Sequence, residues 1–316
     1  MVQFMMLLSI FRNIRISIMS ALMVAGGCLG MVIPAVAEQN SPYVNVHALA
    51  SDLVIPELSD GKPDAGKRVR EKLDEYRDWD MHHVVYLPTD WKPGGQFPVI
   101  VEYPGNGGYR NQLGDESTGR VEDCKLGYGI SAGQGFIWLC LPFVDPASQS
   151  HSLKWWGDAE ATAAYCRLAV HHVCQTYGGD SSSVILTGFS RGAIACGYIG
   201  LRDDQTARLW RAMVIHSHYD GVRKWNYPED DADSARRRWA RFQGKPQFVT
   251  HERSIEPTRE FLAGANTESI VLLGLPFANH TDMWVLKDLP ERATLRSWLS
   301  EVLNHDTHQN ALKGIR

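Results

Sequence analysis

Val184-Ile185-Leu186-Thr187-Gly188-Phe189-Ser190-Arg191-Gly192-Ala193-Ile194-Ala195-Cys196-Gly197-Tyr198-Ile199 is the stretch on which the reading of this 316-residue chain turns. The β-branched apolar run before Gly188 has the composition of a buried strand. The small-residue run after Gly192 has that of a tightly packed helix. Between them stands G-x-S-x-G. In the strand–turn–helix setting this pattern is a nucleophile elbow: the turn is so sharp that side chains two positions before and after the serine would collide, and glycine removes them. The Ser190 hydroxyl is then expected above the carboxyl edge of a sheet, open to a substrate.

Working outward, apolar runs recur at His83–Leu87, Phe97–Tyr103, Phe136–Phe143, Ala212–Ser217, Pro246–His251 and Ser269–Leu275. Helical patterns fall between several of them, at Asp158–Thr176, Arg191–Leu201, Pro257–Ala263 and Pro290–Leu303, with proline opening the last. Strands separated by helices pair in parallel, and strands rich in Val, Ile and Leu with little alternation are covered on both faces. The expectation is an α/β domain over residues 81–316, with a mostly parallel sheet of about eight strands and helices on both sides. Two long connections, 104–134 and 218–244, interrupt it; connections of that length carry function. The second holds Glu229-Asp230-Asp231 and Arg236-Arg237-Arg238, which read as a solvated helix face or part of a lid.

The N-terminal part reads differently. Arg12 and Arg15 precede an apolar run, Ile16–Val36, that ends in Ala35-Val36-Ala37, the pattern of a secretory signal cut after Ala37. A secreted or periplasmic location is expected, with no stable membrane anchor after cleavage. Residues 38–80 form a polar extension with a charged helical stretch near Lys67–Tyr76. Loss of residues 1–37 removes two arginines and no acid, moving the net charge from −4 to −6. No cluster of cations suggests nucleic acid. Five cysteines remain after processing, an odd number, so at least one thiol is free. Cys166 and Cys174, eight apart on one helix, would stand roughly 12 Å apart, too far to pair. No C-x-x-C pair supports a structural zinc site.

A serine hydroxyl becomes nucleophilic only beside an oriented base. His280, in Asn279-His280-Thr281-Asp282 directly after the last strand, holds the position where the base belongs. The acid is more open: Glu252 leaves the penultimate strand and is preferred, Glu256 reaches if its loop folds back, and Asp220 follows the preceding strand. Two backbone N–H groups must face the developing oxyanion. Arg191 offers one, and Asn106 in Pro104-Gly105-Asn106-Gly107-Gly108 the other. The competing motif is His216-Ser217-His218, whose histidines on one strand face would form a metal pair or contact substrate. Trp155-Trp156 would line a pocket or join the core.

On these residues the chain resembles the α/β-hydrolase superfamily. Leu87-Pro88 with Phe97-Pro98-Val99-Ile100-Val101 looks like the opening of dienelactone-hydrolase and polyhydroxybutyrate-depolymerase-like esterases. Gly179-Asp180 through Gly192 is similar to the approach to the elbow in secreted depolymerases and feruloyl esterases. The resemblance implies a serine esterase acting on a small-molecule or polymeric ester, with no cofactor and no metal. It departs from the pattern in lacking a histidine before the oxyanion glycines and in a glutamate standing for aspartate. A non-catalytic binding protein on the same fold and a small peptidase are the alternatives.

Overall fold

The computed structural model describes residues 43–313. The expected signal segment lies outside them. The described residues form one compact unit. Its centre is a nine-stranded sheet: β1 (Leu58–Ser59), β2 (Arg68–Glu71), β3 (His83–Tyr86), β4 (Phe97–Tyr103), β5 (Ile137–Cys140), β6 (Gly179–Phe189), β7 (Ala212–His216), β8 (Gln247–Glu252) and β9 (Ile270–Leu275). The spatial order is β1-β2-β3-β5-β4-β6-β7-β8-β9. From β5 to β9 every pairing is parallel, while β3 runs antiparallel to both its neighbours. Crossing of β4 and β5 after an antiparallel start, then regular parallel addition, is the α/β-hydrolase fold.

Alternation along each strand supplies two cores. Val99, Val101, Leu186, Ile215 and Val249 face α2 (Ala159–Tyr177), α3 (Arg191–Tyr198) and α5 (Ala232–Trp239). Ile100, Trp138, Ile185, Val214 and Phe248 face α1 (Leu126–Ser131) and α7 (Pro290–Lys313). The short helices α4 (Asp204–Ala207) and α6 (Glu256–Phe261) close connections at the sheet's rim. Asp158 ends the run before α2 because its carboxylate accepts the Ala161 N–H at 2.8 Å, an N-cap worth about 1 kcal/mol.

Three expectations change. The stretch near Lys67–Tyr76 is not a helix: β2 occupies Arg68–Glu71, followed by a single 3₁₀ turn at Asp74–Tyr76. Consequently residue 80 is no boundary, since β1 and β2 of the expected extension extend the main sheet through β3. The 104–134 connection contains a hairpin, Tyr109–Arg110 with Glu116–Ser117, and then α1. That helix is glycine-rich and weak by propensity, but Glu102 on β4 anchors its first turn. The Glu102 carboxylate accepts the N–H groups of Lys125, Leu126 and Gly127 and the indole N–H of Trp138, at 2.8–3.1 Å. All five described cysteines are free thiols. Among the described residues no helix is long and apolar enough to cross a membrane.

Candidate active site

Ser190 sits where β6 turns into α3, with φ 55° and ψ −115°, a strained conformation for a residue with a side chain. A Cβ at Gly188 would overlap the carbonyl oxygen of Gly192, and one at Gly192 would overlap that of Tyr103. The strain is held by neighbours: the Ser190 N–H donates to the His216 carbonyl at 3.1 Å, and its own carbonyl accepts from Ile194 at 3.2 Å.

Three sequence-predicted residues meet here. Ser190 Oγ lies 2.9 Å from His280 Nε2, and His280 Nδ1 lies 2.6 Å from Glu252 Oε1. The bonding fixes the tautomer: Nδ1–H donates to the carboxylate, leaving Nε2 to accept from the serine. Burial alone would raise the Glu252 carboxyl, but the hydrogen bond from His280 and the electrostatic interaction with that ring hold it far below the ordinary carboxylate range. Glu252 is the last residue of β8, so the strand rather than a flexible loop aims it.

The other two acids are elsewhere. Asp220 is fully buried and bound through both oxygens to Arg238, at 2.8 and 3.0 Å, with the Tyr227 hydroxyl at 3.2 Å. Arg238 thereby leaves the expected solvated run and enters the core. Glu256 is exposed and pairs with Arg259 at 3.2 Å.

Asn106 and Arg191 line the same cleft as Ser190. The Arg191 N–H is at the first position of α3, where no intrahelical acceptor exists. The Asn106 side chain accepts the Trp155 N–H at 2.7 Å, which ties the glycine-rich turn to the opposite wall. The Arg191 guanidinium points away from the chemistry. It donates to the carbonyls of Ser152 and Trp155 at 3.2 and 2.6 Å and sits 3.9 Å over the Phe143 ring. Burial pushes it down to about 9.

The His-Ser-His motif does not form a metal pair. Ser217 has φ 85°, which breaks the strand alternation between the two histidines. His216 is buried, donating from Nε2 to the Thr281 carbonyl and accepting from the Thr250 hydroxyl at Nδ1, both 2.9 Å. His218 instead enters the cleft, its ring 5.3 Å from that of His280, and burial pushes it down to about 3. Trp155 lines the cleft while Trp156 is core.

Two contributors are not signalled by the sequence. The Ser217 hydroxyl donates to Glu252 Oε2 at 2.6 Å and stands 2.7 Å from His280 Nδ1, so it braces acid and base together. Asp115, in the hairpin after Asn106, is buried beneath His280. Its carboxylate accepts from the His280 N–H (2.7 Å), Asn279 Nδ2 (2.8 Å) and Asn111 Nδ2 (2.7 Å), and meets His47 Nε2 at 2.7 Å. Burial would raise its carboxyl; the donors hold it below the ordinary value. The only signal is the polar cluster Asn111–Glu116 inside a long connection, which names no partner.

The cleft over Ser190 encloses about 800 Å³. Among the described residues, one group of potential metal ligands converges, Glu102 with Cys124 and Cys140, and it is buried against the central strands β4 and β5 with the carboxylate already saturated by N–H donors.

No protein-family model matches the chain, and no curated protein matches it. Solved structures of similar fold include the feruloyl esterase module of Clostridium thermocellum, at 14% identity and TM-score 0.49, covering 79% of this chain and 94% of that one. Esterase 2 of Thermogutta terrifontis, in its paraoxon-phosphorylated form, shares 14% identity at TM-score 0.49, over 71% of this chain and 88% of that one. A fungal esterase from Rhizomucor miehei shares 12% at TM-score 0.46, over 71% and 79%.

Proposed function

We propose that this chain is a serine hydrolase that cleaves carboxylic esters through an acyl-enzyme intermediate. The observation that carries the reading is the continuous relay Ser190 Oγ–His280 Nε2 (2.9 Å) and His280 Nδ1–Glu252 Oε1 (2.6 Å) on a strained elbow facing a cleft. Ser190 Oγ attacks the acyl carbon as its proton passes to His280 Nε2. The N–H groups of Arg191 and Asn106 receive the oxyanion. On collapse the departing alcohol oxygen takes the proton from Nε2. Water then loses a proton to His280, attacks the acyl carbon and releases the acid, and Ser190 recovers its proton. Glu252 holds the tautomer and compensates the imidazolium at each step.

Short-chain nitrophenyl esters test this directly, with a fluorophosphonate as covalent probe read by intact mass. The wild type should hydrolyse the esters and gain one label; Ser190→Ala should do neither. Undiminished turnover in Ser190→Ala would overturn the mechanism, and loss of activity in EDTA would favour a metal instead. Export belongs to the same proposal: residues 1–37 direct it, and the mature protein begins at Glu38, as N-terminal sequencing of secreted or periplasmic material would report.

A further inference from the structure

The walls of the cleft are unlike the rest of the surface in charge. The chain as a whole is acidic, with 36 Asp and Glu against 32 Lys and Arg. Its cleft holds Arg223, Arg253, His218 and His251 but a single carboxylate, Glu252, which is spent on His280 and Ser217. Several arginines elsewhere are matched to acids, Arg238 to Asp220, Arg292 to Asp52, Arg241 to Asp204 and Arg202 to Glu160, while others, such as Arg68 and Arg296, are spent on backbone carbonyls. Among the described residues, Arg223 and Arg253 have no carboxylate partner.

The neighbouring acids are committed to other groups. On the Arg223 loop, Glu229 pairs with Arg202 at 2.9 Å, and Asp230 accepts the backbone N–H groups of Trp225 and Asn226 at 2.7 and 2.6 Å. Beside Arg253, Glu256 is held by Arg259. Each cleft arginine is instead seated against an aromatic ring. The Arg223 guanidinium carbon is 4.5 Å from the Trp225 ring centre, and that of Arg253 is 5.8 Å from Tyr43. A guanidinium over a ring loses rotamer freedom yet keeps its in-plane N–H fork for a planar, bidentate anion. Arg253 directly follows Glu252 with φ 64°, so the turn that leaves the acid's strand also delivers the cation to the rim. His218, driven toward its neutral form by burial, adds a polar edge and no charge.

We propose that the cleft selects esters bearing a free carboxylate in addition to the scissile ester, and that Arg223 and Arg253 recognise that carboxylate. The proposal rests on the serine-esterase reading for its reaction but not for its recognition. The flat ring of Trp155, 5.9 Å from that of Trp225, gives the remainder of such a substrate an apolar platform near the cations.

Binding to Ser190→Ala, which leaves the ester intact, tests recognition alone. Two matched pairs serve as probes in calorimetry: mono-4-nitrophenyl glutarate against 4-nitrophenyl butyrate, and 4-acetoxybenzoate against its methyl ester. The first pair puts the charge on the acyl side, the second on the alcohol side. At least one anionic member should bind about tenfold or more tighter than its neutral partner. Adding Arg223→Gln and Arg253→Gln together should abolish the preference, and raised salt should weaken the anionic member alone. Equal binding within both pairs, no binding of any probe, or a preference that survives both arginine replacements would overturn it. Wild-type turnover of the neutral esters reports separately: turnover without anionic preference sinks only the arginine recognition, and preference without Ser190-dependent turnover sinks only the hydrolase reading.

Discussion

Glu252→Gln removes a charge while keeping a shape, and the surroundings of Glu252 set how much should be lost. The carboxylate accepts two donors, His280 Nδ1–H and the Ser217 hydroxyl, both at 2.6 Å. Glutamine has one oxygen for the imidazole, and its amide can donate to Ser217 once that hydroxyl rotates. The tautomer of His280 is therefore preserved, and what disappears is the anion beside the imidazolium formed during proton transfer. With charge centres about 4 Å apart at an effective dielectric near 20, that attraction is about 4 kcal/mol. The expected loss in kcat is thus about 10³-fold, with KM for a nitrophenyl ester little changed. Ser217→Ala alone should cost about tenfold or less, since the carboxylate still holds the ring. In the Glu252→Gln background the same change should cost more, because nothing else keeps the amide in register. Steady-state kinetics on the four proteins of the cycle, normalised to folded fraction by circular dichroism, measure both. Glu252→Gln retaining activity within tenfold of wild type would refute the assignment. So would an equal loss in folded Asp220→Asn or Glu256→Gln.

Asp220→Asn should act on stability instead. It strands the buried Arg238, which costs about 3–5 kcal/mol and lowers the thermal midpoint by about 10 °C, while kcat per folded molecule stays near wild type. Acid sensitivity should trace partly to Glu71 on β2. Burial would raise its carboxyl, but hydrogen bonds from His83, Tyr177 and His172 hold it down to about 2. A depressed folded pKa gives stability that is complete above the ordinary value near 4.5 and is lost as pH falls toward 2. In urea titrations Glu71→Gln should be less stable at neutral pH and flatter across that window; an unchanged slope would remove Glu71 from the account.

What was legible in the sequence follows from range. Strand–elbow–helix at Val184–Ile199 is a local pattern, and the structure reproduces it as β6 and α3. His280 and Glu252 were found through their place at strand ends, a rule of the parallel sheet that needs no contact information. β2 was missed because Arg68-Val69-Arg70-Glu71 carries charge on both faces. In the fold, Arg68 is buried, its guanidinium carbon 5.0 Å from the Trp138 ring centre and donating to the Glu122 carbonyl, a solution assembled from residues far along the chain. α1 was hidden by its glycines, since its anchor is Glu102, more than twenty residues away. In His216-Ser217-His218 the sequence draws the eye to the histidines; the positive φ of Ser217, invisible in composition, is what turns its hydroxyl toward Glu252. Asp115 and His280 are separated by 165 residues, so no periodicity could join them.

Asp115 also ties distant parts of the described chain to the catalytic base. It gathers His47 from the first described turn, Asn111 from the hairpin and the Asn279–His280 peptide from near the chain's end, while the Val46 N–H closes the knot on Asn279 Oδ1 at 2.8 Å. The base is thus registered by residues from remote stretches of the chain as well as by its own loop. The elbow that carries the nucleophile is built from neighbours in sequence, whereas the aim of the base is built at long range, so the two halves of the site depend on different parts of the molecule.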